Sequence, residues 1–294
     1  MMIDPITSGQ KRQIKGFGEI AFEAVLDELG FSKKTAQRVV MGGAACQELL
    51  KEHFRSVLTQ LASPQEFADE EVESSYGYLS RDRQPRSVTE QANRLREIFQ
   101  GIGYANEMLA NLPVLNGAEG KFVIPPWQKV AATYGEAVQI MLGKLRVECG
   151  EKFVNYIEDK LGAKHLREGI AKKAALRKLA KEQKGFDLLV VDGQFGFLHR
   201  GRSVRHARVV MQDGGQFGFG AFENGIMILT HPDRLKKYGD LWLDCAGDEY
   251  SHEAVGQFPS APLFVFLDGN LRLDTRDIAR PYGHCGSSSG FSLQ

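Results

Sequence analysis

No window of this 294-residue chain approaches the ~18 consecutive apolar residues that a membrane-spanning helix needs. Cysteine is scarce and scattered: Cys46, Cys149, Cys245 and Cys285 form no CxxC pair, which excludes a disulfide-stapled scaffold and the usual zinc modules. With no recognisable secretory leader, reduced thiols in a soluble, cytoplasmic protein are expected. Net charge is also lacking. Lysine plus arginine and aspartate plus glutamate both number 37, so whole-molecule charge selects no partner. No Walker sequence occurs. Gly16-Phe17-Gly18-Glu19-Ile20-Ala21 fits the dinucleotide fingerprint by letter, but the basic residues 11–15 before it are no buried strand. The GSSSG run at 286–290 fits a nucleophile elbow around Ser288, yet only four residues follow, too few for the helix that elbow requires.

What the chain does have is charge segregated along its length. Residues 151–212 carry 14 basic and 7 acidic side chains, and residues 213–294 carry 6 and 11. The basic stretch peaks in HRGRSVRHAR, residues 199–208, with four arginines and two histidines in ten positions. If Ser203 caps a helix, Val204, Ala207 and Met211 point inward while Arg202, Arg205 and Arg208 share an outer face. Guanidinium groups so arranged fork onto phosphates or carboxylates, and Phe195, Phe197, Phe217 and Phe219 nearby offer stacking surfaces. The competing expectation is that these phenylalanines fill a core and the arginines pair with Asp244, Asp248 and Glu249.

Periodicity predicts helices over 17–29, 33–41 (capped by Ser32) and 44–61, after a polar arm at 1–15. Helix, glycine turn, helix invites comparison with a DNA-reading motif whose exposed face would be Gln47, Lys51 and Arg55. Glu48 and Glu52 beside them favour a plain helical hairpin. An acidic connector (Glu66, Asp69, Glu70, Glu71, Glu73) leads into Tyr76-Gly77-Tyr78 and the run Arg81-Asp82-Arg83. Ser87-Val88-Thr89-Glu90 is a capping box starting a helix to Gly101. A short helix at 105–109, an edge strand at 122–124, and helices at 127–147 and 151–161 follow. The basic segment 160–184, with Lys172, Lys173, Arg177, Lys178 and Lys181, is poorly sided and expected to be exposed. From Gly185 the texture becomes glycine-rich and strand-like. Strands are expected at 187–191, at 216–222 and 225–229 around an Asn224-Gly225 turn, and at 241–243. A short helix at 230–237, a hairpin at 263–273 and a terminal loop at 286–290 complete the reading. It gives an α+β protein: a helical hairpin or arm (1–62), a helical region (63–184) and an α+β domain (185–294).

The cysteines and histidines of the last third are the candidates for metal and catalytic chemistry. Cys245, His252, His284 and Cys285 are soft ligands without a standard zinc spacing, so no metal is expected, and no cofactor. Cys245 is a candidate nucleophile, with His199, His231, His252 or His284 as base and Asp244, Asp248 or Glu249 to orient it. The alternative is a small buried cysteine before a solvated acidic turn.

The segments 75–80 (SYGYLS), 87–99, 101–106 (GIGYAN), 199–208, 229–235 (LTHPDRL), 240–250 and 285–294 together resemble a group of uncharacterised bacterial proteins. The resemblance spans nearly the whole chain. It implies a bacterial, cytosolic protein whose two parts travel together, and it implies no activity.

Three functions are therefore expected to compete. The first is a non-enzymatic nucleic-acid or polyanion-binding protein using Arg200, Arg202, Arg205, Arg208, Lys172, Lys173 and Arg177. The second is a hydrolase or transferase acting on a phosphorylated substrate. The third is an assembly protein whose partner is another copy of the chain.

Overall fold

The computed structural model describes residues 7–61, 66–78, 85–254 and 256–292. The Arg81-Asp82-Arg83 run therefore lies outside the described residues. The chain forms two compact units, Met1–Ser63 and Pro64–Gln294. Among the described residues no helix is long and apolar enough to cross a membrane.

The first unit holds three helices, α1 (Ser8–Leu29), α2 (Lys33–Met41) and α3 (Gly43–Leu61). Ser32 caps α2, its Oγ accepting the Thr35 N–H. Half of the expected arm is thus helical, because residues 10–15 are helix formers with no breaker between Gly9 and Gly16. Lys51 and Arg55 of the DNA-reading face pair with Glu48 and Glu52 of their own helix, at 3.4 and 2.5 Å.

The second unit is α+β. Its elements are α4 (Val88–Ile98), β1 (Gly120–Ile124), α5 (Tyr134–Cys149), β2 (Phe153–Asn155), β3 (Leu166–Glu168) and α6 (Ile170–Glu182). They continue with β4 (Leu189–Gln194), α7 (Val204–Asp213), β5 (Gln216–Gly218), α8 (Ala221–Thr230), β6 (Trp242–Asp244) and β7 (Asp248–Tyr250). The last are β8 (Ser260–Leu267), β9 (Asn270–Asp277), β10 (Cys285–Ser287) and β11 (Ser289–Phe291). One sheet runs β1-β4-β11-β5, all antiparallel. The other runs β10-β6-β8-β7-β3, with β9 on the free edge of β8 and β2 beyond it. The chain steps from one sheet to the other at Ser288, between β10 and β11.

Several expectations change here. Residues 120–124 pair with 189–193, so the change of texture at Gly185 falls inside one unit. The expected second strand around Asn224-Gly225 is helix α8, every residue of which is buried. A helix covered on all sides carries no polar stripe, so its run of apolar residues imitates a strand. The site of the supposed turn is where α8 meets α5: a Cβ at Gly225 would lie 1.9 Å from Met141 Sδ. The segment 151–161 is a single 3-10 turn followed by β2, and 230–237 is a series of turns. The long helix at 127–147 begins only at Tyr134, where Thr133 and Glu136 form a capping box. The terminal loop is strand: Ser287, Ser288 and Ser289 are fully buried.

Residues 66–78 lie as a strap along this unit. Val72 N–H donates to Gly201 O and Ser203 N–H to Glu70 O, both at 2.9 Å, and Leu241 N–H donates to Gly77 O at 2.8 Å. Gly201 is required there. Its φ is +79°, and a Cβ would stand 2.2 Å from Val72 O.

Candidate functional site

Each arginine of residues 199–208 is engaged within the chain. Ser203 caps α7, with Val204, Ala207 and Met211 buried. Arg205 Nε donates to both oxygens of Glu70 at 2.9 and 2.8 Å, and Ser203 Oγ donates to the same carboxylate. Arg202 pairs with Glu71 at 2.9 Å. Arg208 donates to the carbonyls of Ala246 and Asp248 at 2.8 and 2.6 Å. Arg200 lies 4.1 Å over the Phe197 ring and reaches Tyr76 O at 3.5 Å. The carboxylates come from the acidic strap rather than from Asp244 or Glu249. The paired residues of strap and segment are 131 to 135 positions apart in sequence, and no local spacing announces their meeting.

Lys172 is the larger departure. Expected on an exposed basic face, it is 1 % exposed. Its Nζ donates to Asp248 Oδ1 (2.8 Å), Glu223 Oε2 (3.0 Å) and the Tyr134 hydroxyl (2.9 Å), with Glu168 at 3.6 Å. Tyr134 OH donates to Asp248 Oδ2 at 2.6 Å, which also accepts the Ala221 N–H at 2.7 Å. One ammonium thus ties together α5, β3, α6, α8 and β7. Burial pushes the Glu223 carboxyl above its usual range, against the pull of Lys172 and with the push of Asp248. Nothing in the sequence marks Tyr134, Glu168 and Glu223 as partners of Lys172, because they lie 38, 4 and 51 residues from it on separate elements.

The catalytic candidates are not brought together. Cys245 is fully buried, and its thiol is pushed well above its usual pKa by that burial; Asn224 Nδ2 donates to it at 3.3 Å. Among the described residues no histidine reaches it by hydrogen bond. Asp244 is held by Arg276 at 3.0 Å, and Glu249 by Arg167 at 2.5 Å. His199 Nδ1 accepts from Arg202 at 3.0 Å, so its Nε2–H donates to Gln216; burial and the Arg202 charge lower its pKa to about 3. His231 Nε2 accepts the Arg86 N–H at 3.0 Å, and burial lowers its pKa to about 4. Both rings are neutral packing elements. His252 bonds Thr275 at 3.0 Å, and His284 sits among Tyr76, Trp242 and Tyr282. Among the described residues no group of three or more His, Cys, Asp or Glu is arranged to hold a metal.

Beside α6 lies a cleft of about 130 Å³. Pro126, Trp127 and Leu176 form its apolar wall, and Glu168, Lys173 and Arg177 its charged one. That volume is roughly the share of four liquid waters, enough for a small planar group. Lys173 and Arg177 stand one helical turn apart and exposed, and Lys181 continues the same face one turn on. No ion pair or hydrogen bond satisfies Lys173 or Arg177 among the described residues. Glu168 joins the cleft to the buried Lys172 centre.

Neither a family model, nor a curated protein, nor a solved structure matches this chain.

Proposed function

We propose that the protein binds a polyanion along α6, with Lys173, Arg177 and Lys181 facing its charges and the Trp127 cleft taking a flat or apolar group between them. The observation that carries this reading is a contrast. Of the seven basic residues expected to bind anions, Arg200, Arg202, Arg205, Arg208 and Lys172 have partners within the chain. Lys173 and Arg177 have none among the described residues, and both line the cleft. A guanidinium already forked onto a carboxylate must lose that partner before it can bind another, whereas a solvated cation needs only to release counterions. Cations in helical register beside an aromatic ring suit single-stranded nucleic acid, whose bases stack and whose phosphates repeat. The Lys172 centre supports the site from behind by fixing the first turn of α6.

Fluorescence anisotropy with a labelled single-stranded DNA oligonucleotide at low salt tests this. Binding is expected, and Lys173→Glu/Arg177→Glu is expected to weaken it at least tenfold, as loss of about 1.4 kcal/mol corresponds to a factor of ten. Trp127→Ala should weaken it as well, base stacking being worth about 1–3 kcal/mol. No binding at low salt, or equal binding by the charge-reversed variant, would remove the proposal.

A further inference from the structure

Among the described residues Glu168 is the one carboxylate that lines the α6 cleft. Its side chain is only 8 % exposed, yet it accepts no hydrogen bond among those residues. Lys172 Nζ stands 3.6 Å away, but an ammonium has three protons to give. They go to Asp248, Glu223 and the Tyr134 hydroxyl, at 2.8, 3.0 and 2.9 Å. Pairing of β3 with β7 sets Glu168 opposite Asp248, so the sheet register fixes it in this place. Enclosing a carboxylate without donors is costly, and a ligand that brings donors removes that cost.

The rest of the cleft limits which ligand brings them. A phosphate is repelled by Glu168 and belongs with Lys173 and Arg177. The Trp127 ring, edge-on to Tyr134 with centroids 6.0 Å apart, offers a flat wall for a base. On its pairing edge guanine presents two adjacent donors, N1–H and the N2 amine, next to the O6 acceptor. Those donors match the two oxygens of a carboxylate, and Gln128, Lys173 or Arg177 of the same cleft can donate to O6. Cytosine and adenine set a ring acceptor beside a single amine, and thymine sets a carbonyl on each side of its one N–H. Each of these turns a lone pair towards Glu168.

We propose that Glu168 reads guanine in the α6 cleft, so that guanine-bearing single strands are the preferred polyanion; this rests on the α6 reading given above.

Fluorescence anisotropy of the full chain is the test, with labelled thymidine oligomers of equal length carrying one central guanine, adenine, cytosine or inosine. The guanine oligomer is expected to bind about tenfold more tightly than the adenine, cytosine or all-thymine oligomers, the discrimination of one good bidentate pair. Inosine, which lacks the N2 amine, is expected to lose most of that advantage with the protein unchanged. Glu168→Gln, which keeps one acceptor oxygen, is expected to bind the guanine and all-thymine oligomers alike. If all the oligomers bind with one affinity, or the preference survives inosine or Glu168→Gln, the guanine assignment is overturned and the α6 reading stands. If none binds at low salt, the α6 reading falls and this inference with it.

Discussion

Lys172 shows how far one buried charge can organise this molecule. Replacing it with methionine leaves Asp248, Glu223 and Glu168 facing one another without a cation. Breaking such a pair is expected to cost about 3–5 kcal/mol, read as a lower denaturant midpoint at unchanged slope. The histidines give a second residue-scale prediction. Folded His199 and His231 titrate near 3 and 4, while the unfolded chain takes up those protons near the ordinary 6.5. Their contribution is therefore present above pH 6.5 and falls as pH drops towards 4, by up to about 1.4 kcal/mol per pH unit for each ring. The raised Glu223 and Asp244 carboxyls act in the opposite sense, losing stability as pH rises above the usual carboxylate range. Comparing denaturation of wild type with His199→Gln and His231→Gln across pH 4–7 isolates the histidine part. Equal pH slopes in all three proteins would refute it.

Among the elements, α8 is the least forgiving. With Met141 Sδ 1.9 Å from the position of a new Cβ, Gly225→Ala is expected to overpack the α5–α8 contact. A destabilisation of about 1–3 kcal/mol should follow, measured by urea unfolding. This helix also marks the limit of what the sequence discloses. Its residues have neither period, because burial on every side removes the polar face on which period depends, and Asn224-Gly225 then mimics a turn. Where local chemistry decides the outcome, the sequence is legible: the Ser87–Glu90 capping box, the Ser203 cap, the β8–β9 hairpin at Asp268-Gly269 and the edge strand β1 all form as expected. The Thr133–Glu136 box, a signal of the same kind, marks the true start of α5 at Tyr134, where the sequence reading has the helix begin at Trp127. Strands β10 and β11 were not, being three residues long and made of serine, glycine and one cysteine or phenylalanine.

Across the whole molecule, the neutral total hides two different fates for positive charge. The acidic strap takes up Arg202 and Arg205, and the interior takes up Lys172 and Arg208. From composition alone these residues are indistinguishable from Lys173 and Arg177, because pairing depends on contacts between segments far apart in the chain. Residues 199–208 are the densest arginine run in the sequence, yet of the basic residues expected to bind anions Lys173 and Arg177 of α6 are the ones without a partner among the described residues. The most direct measurement is the salt dependence of single-stranded DNA binding by three proteins: wild type, Lys173→Ala/Arg177→Ala, and Arg200→Gln/Arg202→Gln. Three cations at about 0.7 each predict a slope of log affinity against log salt near −2 for the wild type. The slope should fall to roughly −0.7 in the α6 variant and stay unchanged in the arginine-segment variant. The reverse outcome, a slope lost with Arg200 and Arg202 and retained without Lys173 and Arg177, would contradict the account.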